Sequence, residues 1–232
     1  MSKKSIIILS SIIFIAILAI GAFFAYQQGY IFKKEVVLTP ANLLSSFVIK
    51  NSSLTPEAAS LFQQRFDETK KRLQADPEGF IDWLYLGVLK KGAGDYEGAR
   101  DVFIYAGQMR PQSSMPFANL ADLYTYFLNE PAKAEESIKK AIANDPADYN
   151  FYLSLADIYR YKFADGAAKY EQTMLDAIAK FPDNPNLIGP LAAYFRDTNQ
   201  TPKAIEWYEK LVKLLPDNAE VKKDLAELKK IQ

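Results

Sequence analysis

The chain begins with one long apolar stretch, and a patterned sequence follows it. From Ile6 to Tyr26 only Ser10, Ser11 and Gly21 interrupt the apolar residues. Because a helix rises about 1.5 Å per residue, this run is long enough to cross the hydrocarbon core of a bilayer once. It predicts a transmembrane helix over residues 5–26, after a short basic N-terminus of residues 1–4.

The alternative for this stretch is a cleaved signal peptide, since residues 19–21 (Ala-Ile-Gly) offer a small-x-small site. The apolar run continues past that site, which favours an uncleaved anchor. Lys3 and Lys4 directly precede the span. The positive-inside rule therefore places the N-terminus in the cytoplasm and the rest of the chain on the extracytoplasmic side.

From residue 55 onward the apolar positions recur at helical spacing, in segments that end at regularly placed prolines. Successive closing prolines lie 34, 35, 36 and 34 residues apart, at Pro77, Pro111, Pro146, Pro182 and Pro216. The pattern is clearest where Trp83, Leu86 and Gly87 share one helix face and Ala99 and Phe103 share a face of the next helix. The small residues allow close approach of two helices whose bulky neighbours fill the remaining volume.

These intervals resemble those of the tetratricopeptide repeat (TPR) family, with its Trp-x2-Leu-Gly first helix, its Ala-x3-Phe second helix and its closing proline. The match recurs three more times, and residues 120–126 (LADLYTY) nearly repeat as residues 155–161 (LADIYRY). The resemblance implies an all-α solenoid of about four helix-turn-helix repeats over residues 80–216. A lead-in helix over residues 55–79 and a capping helix over residues 217–232 complete it.

Residues 27–54 show no helical period of useful length and are predicted to form a linker. Leu43, Leu44 and Phe47 are too apolar for a fully solvated tether, so part of the linker is expected to pack on the solenoid.

The composition argues against nucleic-acid binding and against catalysis. Lys plus Arg and Asp plus Glu both total 28, so no charge excess indicates nucleic acid as a partner. The chain has neither His nor Cys, which removes the commonest general base and metal ligands. No phosphate-binding loop and no nucleophile motif occurs. The sequence therefore predicts a protein that is not an enzyme and holds no cofactor or metal.

In the TPR family the first helices line a concave groove that takes peptides or helices. Residues between the packing positions of those helices are therefore the candidate binding residues, and asparagine and tyrosine suit such a surface. Four residues are apolar for an open groove, and the lead-in helix or the linker is expected to cover them: Ile81, Leu84, Tyr85 and Val88. The candidate groove residues are Tyr85, Asn119, Asp122, Tyr126, Asn150, Asp157, Tyr161 and Arg196.

Two alternatives stay open for this surface. Asp122 and Asp157 occupy equivalent repeat positions, so their recurrence is equally explained by local pairing or solubility. Binding by the convex face, the edges or the linker is also compatible with the pattern. The resemblance thus implies a membrane-anchored interaction scaffold for a protein or peptide partner. The alternative is a cleaved secreted or periplasmic subunit of an assembly or secretion machine.

Overall fold

The computed structural model describes residues 38–231. The predicted membrane segment, residues 5–26, lies outside that range. Among the described helices, none combines the length and the apolar composition that a bilayer crossing requires.

Residues 38–231 form eleven helices and no strand. Thr55 begins the lead-in helix, because its hydroxyl accepts a hydrogen bond from the Ala58 backbone N–H and Pro56 occupies the first helical position. The helices are α1 (Pro40–Leu43), α2 (Pro56–Ala75), α3 (Phe80–Gly92), α4 (Tyr96–Met109), α5 (Met115–Tyr126), α6 (Pro131–Asn144), α7 (Tyr149–Lys162), α8 (Ala167–Lys180), α9 (Pro185–Asp197), α10 (Thr201–Leu214) and α11 (Ala219–Leu228).

The helices pack as consecutive pairs. In each of the four repeats the first helix packs against the second: α3 with α4, α5 with α6, α7 with α8 and α9 with α10. Each second helix also contacts the first helix of the next repeat, and first helices contact one another directly at α3–α5 and α5–α7. This all-helical, TPR-like solenoid confirms the fold that the repeat pattern predicts.

The interior of the first repeat shows why the residues at these intervals matter. Trp83 and Phe103 are fully buried, and Gly87 lies directly under the Phe103 ring. A Cβ atom on Gly87 would lie 2.4 Å from Phe103 Cε1, so only glycine fits this crossing. The Trp83 indole N–H donates to the Pro77 carbonyl at 2.8 Å, which joins the repeat to the lead-in unit.

Three of the four turns inside the repeats use a residue in the left-handed conformation. Gly94, Asn129 and Asn199 have φ values of 81°, 52° and 58°, and glycine and asparagine tolerate this region best. Each turn reverses the chain within a few residues. The first and second helices can therefore lie side by side along their length.

The described part of the predicted linker packs on the first repeat. Leu43 and Leu44 are buried, and the Phe47 ring stacks on Phe66 of α2 with 4.6 Å between centroids. The backbone N–H groups of Lys50 and Asn51 both donate to the Ala93 carbonyl, at 2.7 and 2.9 Å. Residues 38–54 are thus part of the solenoid's packed end and are not a free spacer.

A buried lysine holds this segment in place. Lys90 is 3% exposed, and its ammonium donates to the Ser46 carbonyl at 2.8 Å. It also lies 3.4 Å from Asp95, a carboxylate that Lys50 approaches from the linker side. Each charge in this cluster therefore has a hydrogen-bonding partner, as burial of charge requires.

Candidate partner-binding groove

Large apolar side chains that remain exposed are concentrated on the first helices. Within residues 80–216, all six of them lie on a first helix or directly after one, and none lies on a second helix. A monomeric solenoid gains nothing by exposing such residues on one set of helices only, so the arrangement indicates an interaction surface. They are Ile81, Val88, Met115, Tyr126, Phe127 and Tyr161. We call the surface that the first helices α3, α5, α7 and α9 present the first-helix groove.

The centre of the groove lies between α5 and α7. A cavity of about 160 Å³ opens there, and Asp122, Tyr126 and Asn150 line it together with Ser154. Tyr126 and Tyr161 are 62% and 64% exposed. The structure therefore brings several of the sequence-predicted residues from two repeats to one concave site.

Ion pairs connect neighbouring first helices along the groove. Lys91 of α3 reaches Asp122 of α5 at 2.7 Å, and Arg160 of α7 lies 3.7 Å from Asp197 of α9. Each repeat has one residue at the position of Trp83, and the residue eight places later is Lys91, Thr125, Arg160 or Arg196. The four starting residues are Trp83, Phe117, Tyr152 and Ile188. The basic member of the pair is therefore a feature of one repeat position.

The second repeat breaks this series. Its residue at that position is Thr125, which is buried and donates its hydroxyl to the Ala121 carbonyl at 2.6 Å. Asp157, which occupies in α7 the slot of Asp122 in α5, thus has no cation opposite it on α5. Within the described residues its half-buried carboxylate makes neither a hydrogen bond nor an ion pair.

Two pKa values at the centre of the groove are shifted, those of the unpaired Asp157 and of Tyr126. Burial raises the pKa of Asp157, and the positive charge of Arg160 offsets part of that effect. Burial also raises the pKa of Tyr126, and the negative charges of Asp157 and Asp122 raise it further. Both carboxylates are therefore close enough to Tyr126 to act on its hydroxyl.

The remaining sequence-predicted residues are engaged locally. Tyr85 is half-buried on α3. The Asn119 amide donates to the Met115 carbonyl of its own helix, and the Asn150 amide donates to Asp148. The amide groups of the two asparagines are therefore already hydrogen-bonded within the chain, whereas the Tyr85 side chain is only partly covered.

Arg196 belongs to the capping contact. Its guanidinium lies 2.7 Å from Asp224 of α11 and donates to the Tyr208 hydroxyl at 2.9 Å. That hydroxyl donates to the same aspartate at 3.0 Å. The arginine thus fastens the last helix to the fourth repeat, a role that repeat position alone does not reveal.

The expected covering of the groove's N-terminal end occurs only in part. Leu84 is buried at 5% exposure, whereas Ile81 and Val88 are 64% and 43% exposed. The linker packs beside α2 and α4, so it leaves the outer face of α3 open. Met115 and Phe127 were not predicted as groove residues. Their position on a first helix or at its end was the available signal.

Two wider cavities lie along the second helices, of about 680 and 410 Å³. In each cavity a lysine lies over an aromatic ring of the lining: Lys140 over Phe117 in the first and Lys210 over Trp207 in the second. Two further lysines there are ion-paired, Lys133 with Glu130 and Lys139 with Glu135. On this face the lysines are therefore engaged by rings and carboxylates of the chain itself.

Comparisons with known proteins support the fold of the chain. No protein-family model matches the chain, and no curated protein sequence matches it. Among solved structures, PilW, a type IV pilus biogenesis factor, is similar at 19% identity and a TM-score of 0.54, over 72% of this chain and 78% of PilW. MamA from Desulfovibrio magneticus RS-1 is similar at 18% identity and a TM-score of 0.52, over 69% of this chain and 94% of MamA.

YrrB, described as a TPR protein with an unusual peptide-binding site, is similar at 10% identity and a TM-score of 0.51, over 69% of this chain and 81% of YrrB. At such identities these likenesses concern the fold. They agree with the TPR-like architecture of the described residues.

Proposed function

We propose that this chain is a protein-interaction scaffold whose first-helix groove binds a segment of a partner protein. The observation that carries the proposal is that, within residues 80–216, the exposed large apolar residues lie on the first helices or directly after one, and none lies on a second helix. The peptide-binding site reported for YrrB, on a similar fold, supports it. The proposal assigns no catalytic role to the chain.

The energetics favour tyrosines as the main contacts. Covering an exposed aromatic side chain removes apolar surface from water, at about 25 cal/mol per Å². Tyrosine also brings a hydroxyl and only two side-chain torsions to immobilise, which keeps the entropic cost of binding low. Tyr126 and Tyr161, from adjacent repeats, are therefore the expected centre of binding energy.

The proposal also places the scaffold at a membrane, held by residues 5–26 with the repeats on the extracytoplasmic side. A tether confines the groove and a membrane-bound partner to the same thin layer, so modest contacts suffice for occupancy. The alternative is a cleaved, secreted or periplasmic subunit. N-terminal sequencing of the mature protein separates the two, because cleavage after the small-x-small site gives a chain that begins at Ala22.

Replacing both Tyr126 and Tyr161 with alanine is expected to weaken peptide binding by about 30-fold or more, since tyrosines buried at an interface centre contribute about 1 kcal/mol each or more. The probes are random 16-residue peptides selected by display on the full chain in detergent micelles. Fluorescence polarisation of individual selected peptides measures the affinities.

Leu61→Ala is the matched control, because Leu61 is 45% exposed but lies on the lead-in helix α2. Its affinities should equal those of the wild type. The double tyrosine variant should keep its melting temperature within a few degrees, since both rings are mostly exposed. Selected peptides that bind the double variant as tightly as the wild type would exclude the groove as the binding site.

A further inference from the structure

Asp157 is the side chain of the groove that the fold itself does not use. The equivalent Asp122 is paired with Lys91 across the helix–helix contact. The position that supplies the cation in the other repeats holds Thr125 in the second, and that threonine is turned back onto its own helix. A half-buried carboxylate, close enough to Tyr126 for its charge to act on that hydroxyl, is therefore left without a cation on α5.

This arrangement is unfavourable for the isolated chain. Desolvation of a carboxylate is compensated when a cation or several donors meet it, and here neither does so within the described residues. Its two nearest cations on α7 are engaged elsewhere. Arg160 lies over the rings of Tyr161, Tyr170 and Tyr194 and near Asp197, and Lys162 lies over the Tyr126 ring. Within the described residues, no cation is therefore left to pair directly with Asp157.

The surroundings favour a cationic side chain with an apolar stem. Tyr126 and Tyr161 flank Asp157, and their rings already attract cations of this chain at 5.9 and 5.2 Å. An ammonium or guanidinium group placed here would meet a carboxylate and the rings of two tyrosines, while its methylene stem lies on their apolar surface. An acidic segment would instead face the uncompensated charge of Asp157.

We propose that Asp157 determines the specificity of the first-helix groove by pairing with a lysine or arginine of the partner segment, whose neighbouring apolar side chains lie against Tyr126 and Tyr161. The inference rests on the proposed function of the groove. It names the chemistry of the occupant: a peptide segment of another protein with a basic residue next to apolar ones. The basic residue of the partner takes the place of the cation that the other repeats carry at this position and that Thr125 replaces in the second repeat.

The test uses the display-selected peptides on the full chain in detergent micelles. The selected sequences should share a Lys or Arg at one fixed position beside apolar residues. Asp157→Asn, which keeps the shape and removes the charge, should weaken their binding about tenfold at low salt, because a partly desolvated ion pair is lost. The difference between the two proteins should shrink as salt is raised.

A double-mutant cycle assigns the effect to the pair. Replacing the shared lysine of a peptide by norleucine should weaken binding to the wild type at least as much, and should weaken binding to Asp157→Asn much less, because only the contacts of the ammonium with the tyrosine rings are then lost. Asp176→Asn, at an exposed aspartate of the second helix α8, is the control and should bind like the wild type. The Asp157→Asn variant should fold at least as stably as the wild type, so that weakened binding does not report unfolding.

The outcomes distinguish the role of Asp157 from the proposed binding of peptides by the first-helix groove. Peptides without a shared basic residue, or equal affinities for wild type and Asp157→Asn, would overturn the role of Asp157. If the tyrosine variant still loses binding in that case, the groove remains the binding site. If neither variant changes affinity, both proposals fail together.

Discussion

Replacing Gly87 with alanine is expected to lower the free energy of unfolding by about 2–3 kcal/mol, since overpacking a filled core outweighs the gain of about 1 kcal/mol in helix propensity. The new Cβ would lie 2.4 Å from Phe103 Cε1 and 2.7 Å from two more atoms of that ring. Phe103 is fully buried, so its ring has nowhere to move. Urea denaturation followed by far-UV circular dichroism measures the change.

A second glycine provides the control. Gly189 lies inside α9, but a Cβ there would meet only Leu211 Cδ2 at an ordinary 3.8 Å. Gly189→Ala should therefore change the free energy of unfolding by less than about 1 kcal/mol, since the gain in helix propensity is offset by the contact of the new Cβ with the ring of Pro190, the next residue. In the double variant with Phe103→Leu, the smaller side chain should recover part of the loss caused by Gly87→Ala. Additive effects of the two changes would contradict the contact between α3 and α4.

Removing the buried amine of Lys90 by Lys90→Ala is expected to destabilise the chain by about 3–5 kcal/mol, the range for removing one partner of a buried ion pair. The Ser46 carbonyl loses its donor and Asp95 loses one of its two cations. The described linker should then detach more easily from the first repeat. Limited proteolysis within residues 45–54 measures that release directly, and urea denaturation measures the stability.

Lys71→Ala is the comparison for this change, because Lys71 is exposed on α2. Its stability and its protease sensitivity should match those of the wild type. A Lys90→Ala variant that resists proteolysis like the wild type would show that residues 46–51 are held by other contacts.

The helix pairs could be predicted from the sequence because the same packing positions recur in every repeat. The Gly87 and Phe103 positions recur with the period of the stack, and the burial of Trp83 follows from the same spacing. Residues in the described helices therefore show their partners through periodicity, which is the strongest signal a single sequence carries.

Docking of the linker was not predictable in detail. Its contacts join Lys90 to a backbone carbonyl 44 residues earlier, and no periodicity marks such a pair. Likewise, Arg196 occupies a groove position in the repeat register, yet the capping helix supplies Asp224 and draws the guanidinium away. Contacts made once, at the ends of the solenoid, leave no periodic signal in the sequence.

The groove residues fall between these cases. Repetition placed Asp122 and Asp157 in equivalent slots, but it could not distinguish the paired carboxylate from the unpaired one. The difference depends on Thr125, one residue in the neighbouring repeat. The sequence thus contained the signal, but the structure was needed to show which two positions face each other.

Hydrogen exchange of the full chain, with and without a display-selected peptide, tests the central claim most directly. If the first-helix groove is the binding surface, the peptide should slow exchange in α5 and α7, at residues 115–126 and 149–162, and leave the second helices α6 and α8 unchanged. Protection confined to residues 131–144 and 167–180, with none in α5 or α7, would contradict the claim and move binding to the opposite face.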